Sequence, residues 1–272
     1  MKTFREESLR SVRAIALDLD GVVYHGRHLL PGADKAVEAL RGFGLKVFFI
    51  TNNSANTRAD VARKLTYLGV PAAENEVLTS GHVTAVLVSR LRENARVLVI
   101  GSDGLKSELA CLGSEVVAGL PCDFLVVGLD AHFNYDKICT ALDALFGGAV
   151  FIACNCDSTY PIEDGRLLPG CGSLVAAIEA AWRRKHEYLA GKPNDLVMKM
   201  LAGENCLRPS EILVVGDSLE SDIAMASHFG SPSVFVGAPK ASRASGASEA
   251  GMPEPDFVIG TLAELPDLFS VI

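Results

Sequence analysis

Ala14-Ile15-Ala16-Leu17-Asp18-Leu19-Asp20-Gly21-Val22-Val23-Tyr24 is an apolar run of buried-strand character that ends in two carboxylates one residue apart. Strand residues at i and i+2 point to the same side, so Asp18 and Asp20 converge at the carboxyl end of that strand. Two like charges held there force one group to keep its proton unless a cation offsets them. Hard carboxylate oxygens suit Mg²⁺, which takes one or two protein carboxylates together with waters and substrate phosphate. An Asp-Gly turn with solvated acids is the plain alternative for this stretch taken by itself.

Outward from it, strand-like runs alternate with amphipathic helical stretches almost from end to end, the pattern of an α/β protein with a parallel sheet. A flap-like segment, 21–30, leads to a helix over 31–43 with Pro31 at its start. A second strand, 45–50, ends in Thr51-Asn52-Asn53-Ser54, and Thr57 caps a helix that Gly69 stops. The middle of the chain repeats the theme, with strands at 96–100, 124–127 and 150–153 and helices near 105–112 and 135–146. It reads as its own α/β unit, with boundaries near Ser80 and Trp182. The last third returns to strands at 211–217, 233–236 and 257–259, and the Ala/Ser/Gly/Pro-rich stretch 237–255 reads as a surface loop.

In an open parallel sheet, ligands bind outside the carboxyl ends of the strands. Asp18 and Asp20 close the first strand, Thr51 and Asn52 the second, and Asp217 a later one, with Asp222 in the helix that follows and Ser218 as that helix's cap. Gly191-Lys192-Pro193-Asn194-Asp195 adds one ammonium at a loop apex, where Pro193 biases Lys192 toward an extended backbone and Asn194 can open a helix. Singly, each of these clusters is more often a turn, a solvated loop or a helix cap.

Taken together and in order, D-x-D-G, T-N-N, G-K-P and G-D-x-x-x-S-D resemble the four motifs of the haloacid dehalogenase superfamily of phosphatases. The resemblance extends into the middle unit. The runs 128–137, 153–157, 161–165 and 169–173 look like cap segments of the branch that holds p-nitrophenylphosphatase-like, nucleotide-phosphatase and pyridoxal-phosphate-phosphatase-like members. Two residues depart from it: Ser221 stands where Thr is frequent and Cys156 where Pro is usual.

The resemblance implies a Rossmann-like parallel-sheet core over 1–79 and 182–272, with an inserted α/β cap domain over 80–181 that selects the substrate. It implies a Mg²⁺-dependent phosphatase of small organic phosphate monoesters. Asp18 would be the nucleophile that forms an aspartyl-phosphate, and Asp20 the general acid and base. Asp18, the Asp20 main-chain carbonyl and Asp217 would hold Mg²⁺, with Asp222 ordering ligands behind them. Thr51, Asn52 and Lys192 would bind the phosphoryl oxygens, and His132 in the cap would touch the substrate. Asp20 favours esters over haloacids, because a halide leaving group needs no acid. A phosphotransferase or phosphomutase with the same site is the alternative, and a non-enzymatic Mg²⁺-binding scaffold on this fold is another. A dimer through the cap is also implied.

Composition limits the partners. The 272 residues are 49% hydrophobic and carry a formal net charge of −8, against a surface for nucleic acid or anionic membrane. No apolar run approaches a membrane span of about 20 residues. The polar segment Met1 to Ser11 lacks the apolar core of a secretory signal, so a cytoplasmic location is expected. The seven cysteines are odd in number and lack C-x-x-C spacing, so they read as reduced thiols, buried rather than zinc-binding. Neither G-x-G-x-x-G at Gly101-Ser102-Asp103-Gly104 nor a P-loop is present, against a dinucleotide enzyme and a P-loop kinase.

Overall fold

The structure, a computed structural model, describes residues 9–162, 166–237 and 253–270. The chain divides into two compact units, one of Met1–Thr51, Ala62–Val77 and Lys192–Ile272, the other of Asn52–Val61 and Leu78–Gly191.

The first unit is built on a sheet in the order Phe257–Ile259, Ser233–Val236, Ile212–Gly216, Ala14–Asp18, Lys46–Thr51 and Val77–Thr79, of which the first five strands pair in parallel. Ala14–Asp18 is buried along its whole length, as a strand covered on both faces requires. Leu17 lies opposite Phe49 in the register and both are fully buried, so truncating either to Ala costs about 2–5 kcal/mol. From this strand the chain runs on to Lys46–Thr51 on one side, and its later strands stack on the other. Ala14–Asp18 therefore ends at the topological switch point, where such sheets bind ligands.

The second unit repeats the plan, with parallel strands in the order Tyr188–Leu189, Val150–Ala153, Phe124–Val127, Arg96–Ile100 and Glu115–Val117. Helices Ser80–Leu91, Asp103–Cys111, Tyr135–Phe146 and Cys171–Trp182 contribute to its core. Asn134 caps Tyr135–Phe146 by accepting from the Lys137 N–H, and Phe133 packs against the core. Tyr188–Leu189, which a boundary at 181 would leave to the other unit, forms an edge strand here. Two residues are too short to show a period.

Local differences from the sequence reading have local causes. The helix expected over 31–43 spans Ala33–Gly42, because Gly32 sits in the left-handed region at φ 77° and leaves Pro31 outside it. The segment 21–30 contains a short hairpin, Tyr24–His25 against His28–Leu29. Glu211 lies in a 3₁₀ turn, its carboxylate bonded back to the Arg208 N–H, and the strand begins at Ile212. All seven cysteines are free, yet only Cys154 and Cys171 are buried, while Cys111, Cys139, Cys156 and Cys206 are exposed. The strand Val150–Ala153 stops short of Cys154 and Cys156. Most of 237–255, and Glu163 to Gly165 of the quoted cap runs, lie outside the described residues. No described helix is long and apolar enough to cross a membrane.

Candidate active site

Asp18 ends the central strand, opposite Ile50 in the register and one residue past the Leu17–Val215 pair. Thr51 and Gly216-Asp217 therefore emerge beside it at the same edge, a consequence of parallel pairing alone. Asp18 and Thr51 are buried. Past Asp18 the chain turns through Gly21, whose φ of 86° suits a residue without Cβ. A Cβ there would also come within 2.0 Å of Asp217 Oδ2. Gly216 is held to glycine by the same logic, since its Cβ would meet Asp222 Cγ at 2.2 Å.

Ser218 caps a single π-helical turn, Leu219–Ile223, by accepting from the Ser221 N–H, and that turn brings Asp222 inward. Asp222 Oδ2 accepts from the Ser218 N–H at 3.2 Å. Its Oδ1 accepts from Lys192 Nζ at 2.6 Å, and the same ammonium donates to Asp18 Oδ1 at 2.5 Å. Asn194 accepts from the Leu196 N–H and so ties the lysine's loop to the helix Leu196–Asn205. All three charged groups are buried, so their mutual pairing is what makes that burial tolerable.

The ligand oxygens of Asp18, Asp217 and Asp222 all lie within 4.8 Å of one another. Burial raises Asp18 well above the ordinary carboxylate range, against the pull of Lys192 and with a further push from Asp222 and Asp217. Burial and the neighbouring Asp222 push Asp217 up to about 6. Burial works to lower the Lys192 ammonium, but the carboxylates of Asp18 and Asp222 outweigh it and hold the group above its usual value. Three carboxylates therefore face one ammonium, and the excess negative charge, all hard oxygen, is of the kind a divalent cation such as Mg²⁺ satisfies.

Asp20, two residues beyond Asp18, is exposed. Loss of surrounding water raises its carboxyl, opposed by Lys64 and His25. Lys64 Nζ sits 3.5 Å over the ring of buried Tyr24. Nothing in the sequence singled out Lys64, one of three basic residues in the helix Arg58–Tyr67.

Asn52 follows Thr51 directly and packs with the second unit. There its carbonyl accepts from Ser80 Oγ at 2.8 Å and Asn155 Nδ2 at 2.7 Å, and its own Nδ2 donates to Asp157 Oδ2 at 2.9 Å. His132 is exposed in the same unit, its N–H donating to Asp130 Oδ1 at 2.9 Å, while Asp130 Oδ2 pairs with Lys137 Nζ.

A haloacid dehalogenase-like hydrolase family model matches residues 15–115, and a second model of that kind matches 189–265. The sugar-phosphatase AraL of Bacillus subtilis is 33% identical over 259 residues, covering 95% of this chain and 93% of that protein. The crystal structure of a 4-nitrophenylphosphatase from Thermotoga maritima superposes with a TM-score of 0.87 at 32% identity, covering 96% of this chain and 98% of that one. A glycerol phosphate phosphatase from Mycobacterium tuberculosis, solved in complex with magnesium, gives 0.83 at 33% identity, with 95% of this chain and 77% of that one covered. With the family models spanning both ends of the chain and relatives aligned over nearly all of it, the chain belongs to the haloacid dehalogenase-like hydrolases.

Proposed function

We propose that this hydrolase is a phosphatase of small organic phosphate monoesters that works through an aspartyl-phosphate on Asp18. The observation that carries the reading is a buried carboxylate at the switch point, paired with a buried ammonium and crowded by two further carboxylates. The relatives' names, sugar, nitrophenyl and glycerol phosphatases, support the substrate class.

In the first step an Asp18 oxygen attacks phosphorus in line, the bond to the ester oxygen breaks, and Asp20 gives its proton to the departing alkoxide. In the second, Asp20 takes a proton from water as that water attacks phosphorus, releasing inorganic phosphate and the Asp18 carboxylate. The raised Asp20 carboxyl supports its part, because a proton to donate is retained to higher pH than an ordinary aspartate retains it. The Thr51 hydroxyl, the Asn52 N–H and Lys192 bind the phosphoryl oxygens, so that positive charge stands where the transition state concentrates negative charge. Asp18, the Asp20 carbonyl and Asp217, with Asp222 behind them, would hold Mg²⁺, which would supply the remaining neutralisation. The inserted cap, 80–181, selects the leaving group, with His132 as a substrate contact.

The test is phosphate release from p-nitrophenyl phosphate and a panel of sugar, glycerol and nucleoside phosphates, with chelator and Asp18→Asn as controls. Release that vanishes in both controls supports the reading. Transfer to an added hydroxyl acceptor without net release to water would replace hydrolysis by phosphotransfer.

A further inference from the structure

Cys156 is a free, exposed thiol on the second unit. Its Sγ lies 4.0 Å from His186 Nε2. The other ring nitrogen, His186 Nδ1, is 2.7 Å from Oε1 of Glu179, a buried carboxylate that also accepts the His186 main-chain N–H at 3.1 Å. The imidazole is thus gripped on one side, stands edge-on to the Phe151 ring, and presents Nε2 toward the thiol. None of these side chains takes part in the chemistry assigned to Asp18.

We propose that Cys156 and His186 form a binding site for a thiophilic divalent cation, Zn²⁺ by chemical class, with Glu179 as the positioning residue and water in the remaining coordination sites. A carboxylate on the far nitrogen of a metal-binding histidine fixes its tautomer and orientation and makes it a better donor. Bond lengths of about 2.3 Å to sulfur and about 2.0–2.1 Å to nitrogen set a tetrahedral S···N edge of about 3.6 Å, so the observed pair needs to close by a few tenths of an ångström. Thiolate with imidazole suits zinc and is poor for magnesium, whereas the Asp18 cluster offers only hard oxygen. Burial with the nearby Glu179 and Asp157 charges pushes the Cys156 thiol up to about 11, and the same negative field that disfavours a bare thiolate favours a cation bound to it.

The site has a structural link to Asn52. Cys156 lies between Asn155 and Asp157, whose side chains hold the Asn52 carbonyl and amide. Drawing Cys156 toward His186 shifts those two anchors, and on the phosphatase reading above, Asn52 is a phosphate ligand. Zinc is therefore expected to raise KM for the ester.

The site is tested by titrating Co²⁺ into the full-length protein at saturating Mg²⁺ and following the thiolate-to-cobalt charge-transfer absorption in the near ultraviolet. The band is expected in the unmodified protein, is lost in Cys156→Ser and is bleached by Zn²⁺. Glu179→Gln keeps the band but weakens cobalt binding about 10–100-fold. No band, or a band that survives in Cys156→Ser, overturns the site. A band without a zinc-dependent rise in KM overturns the coupling to Asn52 while the site stands. Absence of any phosphate release with the band intact defeats the phosphatase reading and leaves the metal site in place.

Discussion

Both units are parallel sheets dressed with helices, and they treat the carboxyl ends of their strands in opposite ways. In the first, the strand ends deliver Asp18, Thr51 and Asp217, a hydroxyl and two carboxylates whose charge is only partly offset from within the protein. In the second, the strand ends are used for construction. Ser102, after Arg96–Ile100, caps the next helix through the Leu105 N–H and donates its own hydroxyl hydrogen to the Ala55 carbonyl. Gly128, after Phe124–Val127, admits the Ser54 side chain, whose Oγ accepts from the Leu129 N–H. Asn155, after Val150–Ala153, donates to the Asn52 carbonyl. One architecture thus supplies an edge twice, and the residue types placed there decide whether the edge does chemistry or holds the fold.

If that contrast is right, substitutions at the first edge strike turnover and those at the second, apart from Asn155 behind Asn52, strike stability. The largest effect is expected from Asp18→Asn, which removes the nucleophile. Turnover of p-nitrophenyl phosphate should fall roughly 10⁴–10⁶-fold, while the metal-free melting temperature is unchanged or rises as like charge is relieved. Asp20→Asn should lower kcat/KM, which reports the step that expels the alcohol, by roughly 10²–10⁴-fold for an alkyl phosphate, and by less for the nitrophenyl ester, whose leaving group has little need of a proton. A uniform loss across both substrates would contradict the acid role.

Lys192→Met leaves the buried Asp18 and Asp222 unpaired and should destabilise the chelated protein by about 3–5 kcal/mol in urea unfolding. Adding Mg²⁺ should recover part of that loss. A stability equal to wild type would mean that the ammonium is not what makes the cluster tolerable.

The pH dependence follows from the carboxyls that sit above their ordinary range. Asp217 titrates near 6 in the fold and near the usual aspartate value once unfolded, so the folded state binds the extra proton between those limits. Its contribution is fully present below the unfolded value and is lost as pH rises through about 6, and Asp18, also raised, acts in the same sense. Melting of the chelated protein should therefore show a decline in stability across that window, flattened in Asp217→Asn and reduced by Mg²⁺.

The smallest effect belongs to the second edge. Ser102→Ala removes one helix cap and should cost about 1 kcal/mol with kcat/KM unchanged. A comparable loss of turnover there would erase the distinction between the two edges.

Much of this was legible in the chain because periodic burial and special backbone geometry leave local marks. The helix Tyr135–Phe146 and the strand Phe124–Val127 follow from residue pattern alone. The expected convergence of Asp18 and Asp20 does not follow from strand alternation, because the strand ends at Asp18 and the chain turns through 19–24; the carboxylates that gather around Asp18 are those of Asp217 and Asp222. The edge strand Tyr188–Leu189 left no such mark, and neither did Lys64 over the Tyr24 ring, since both depend on partners distant in sequence.

What the sequence determined by itself was the set of groups and the end of the sheet at which they emerge, because strand direction and side-chain alternation are properties of short segments. The pairing came from packing alone: Lys192 bridges Asp18 and Asp222, Gly21 and Gly216 make room for Asp217 and Asp222, and Cys156 faces a histidine held by Glu179. Those distances are set by strand order and by turns that bring residues far apart in the chain to within a hydrogen bond, and no local pattern encodes them.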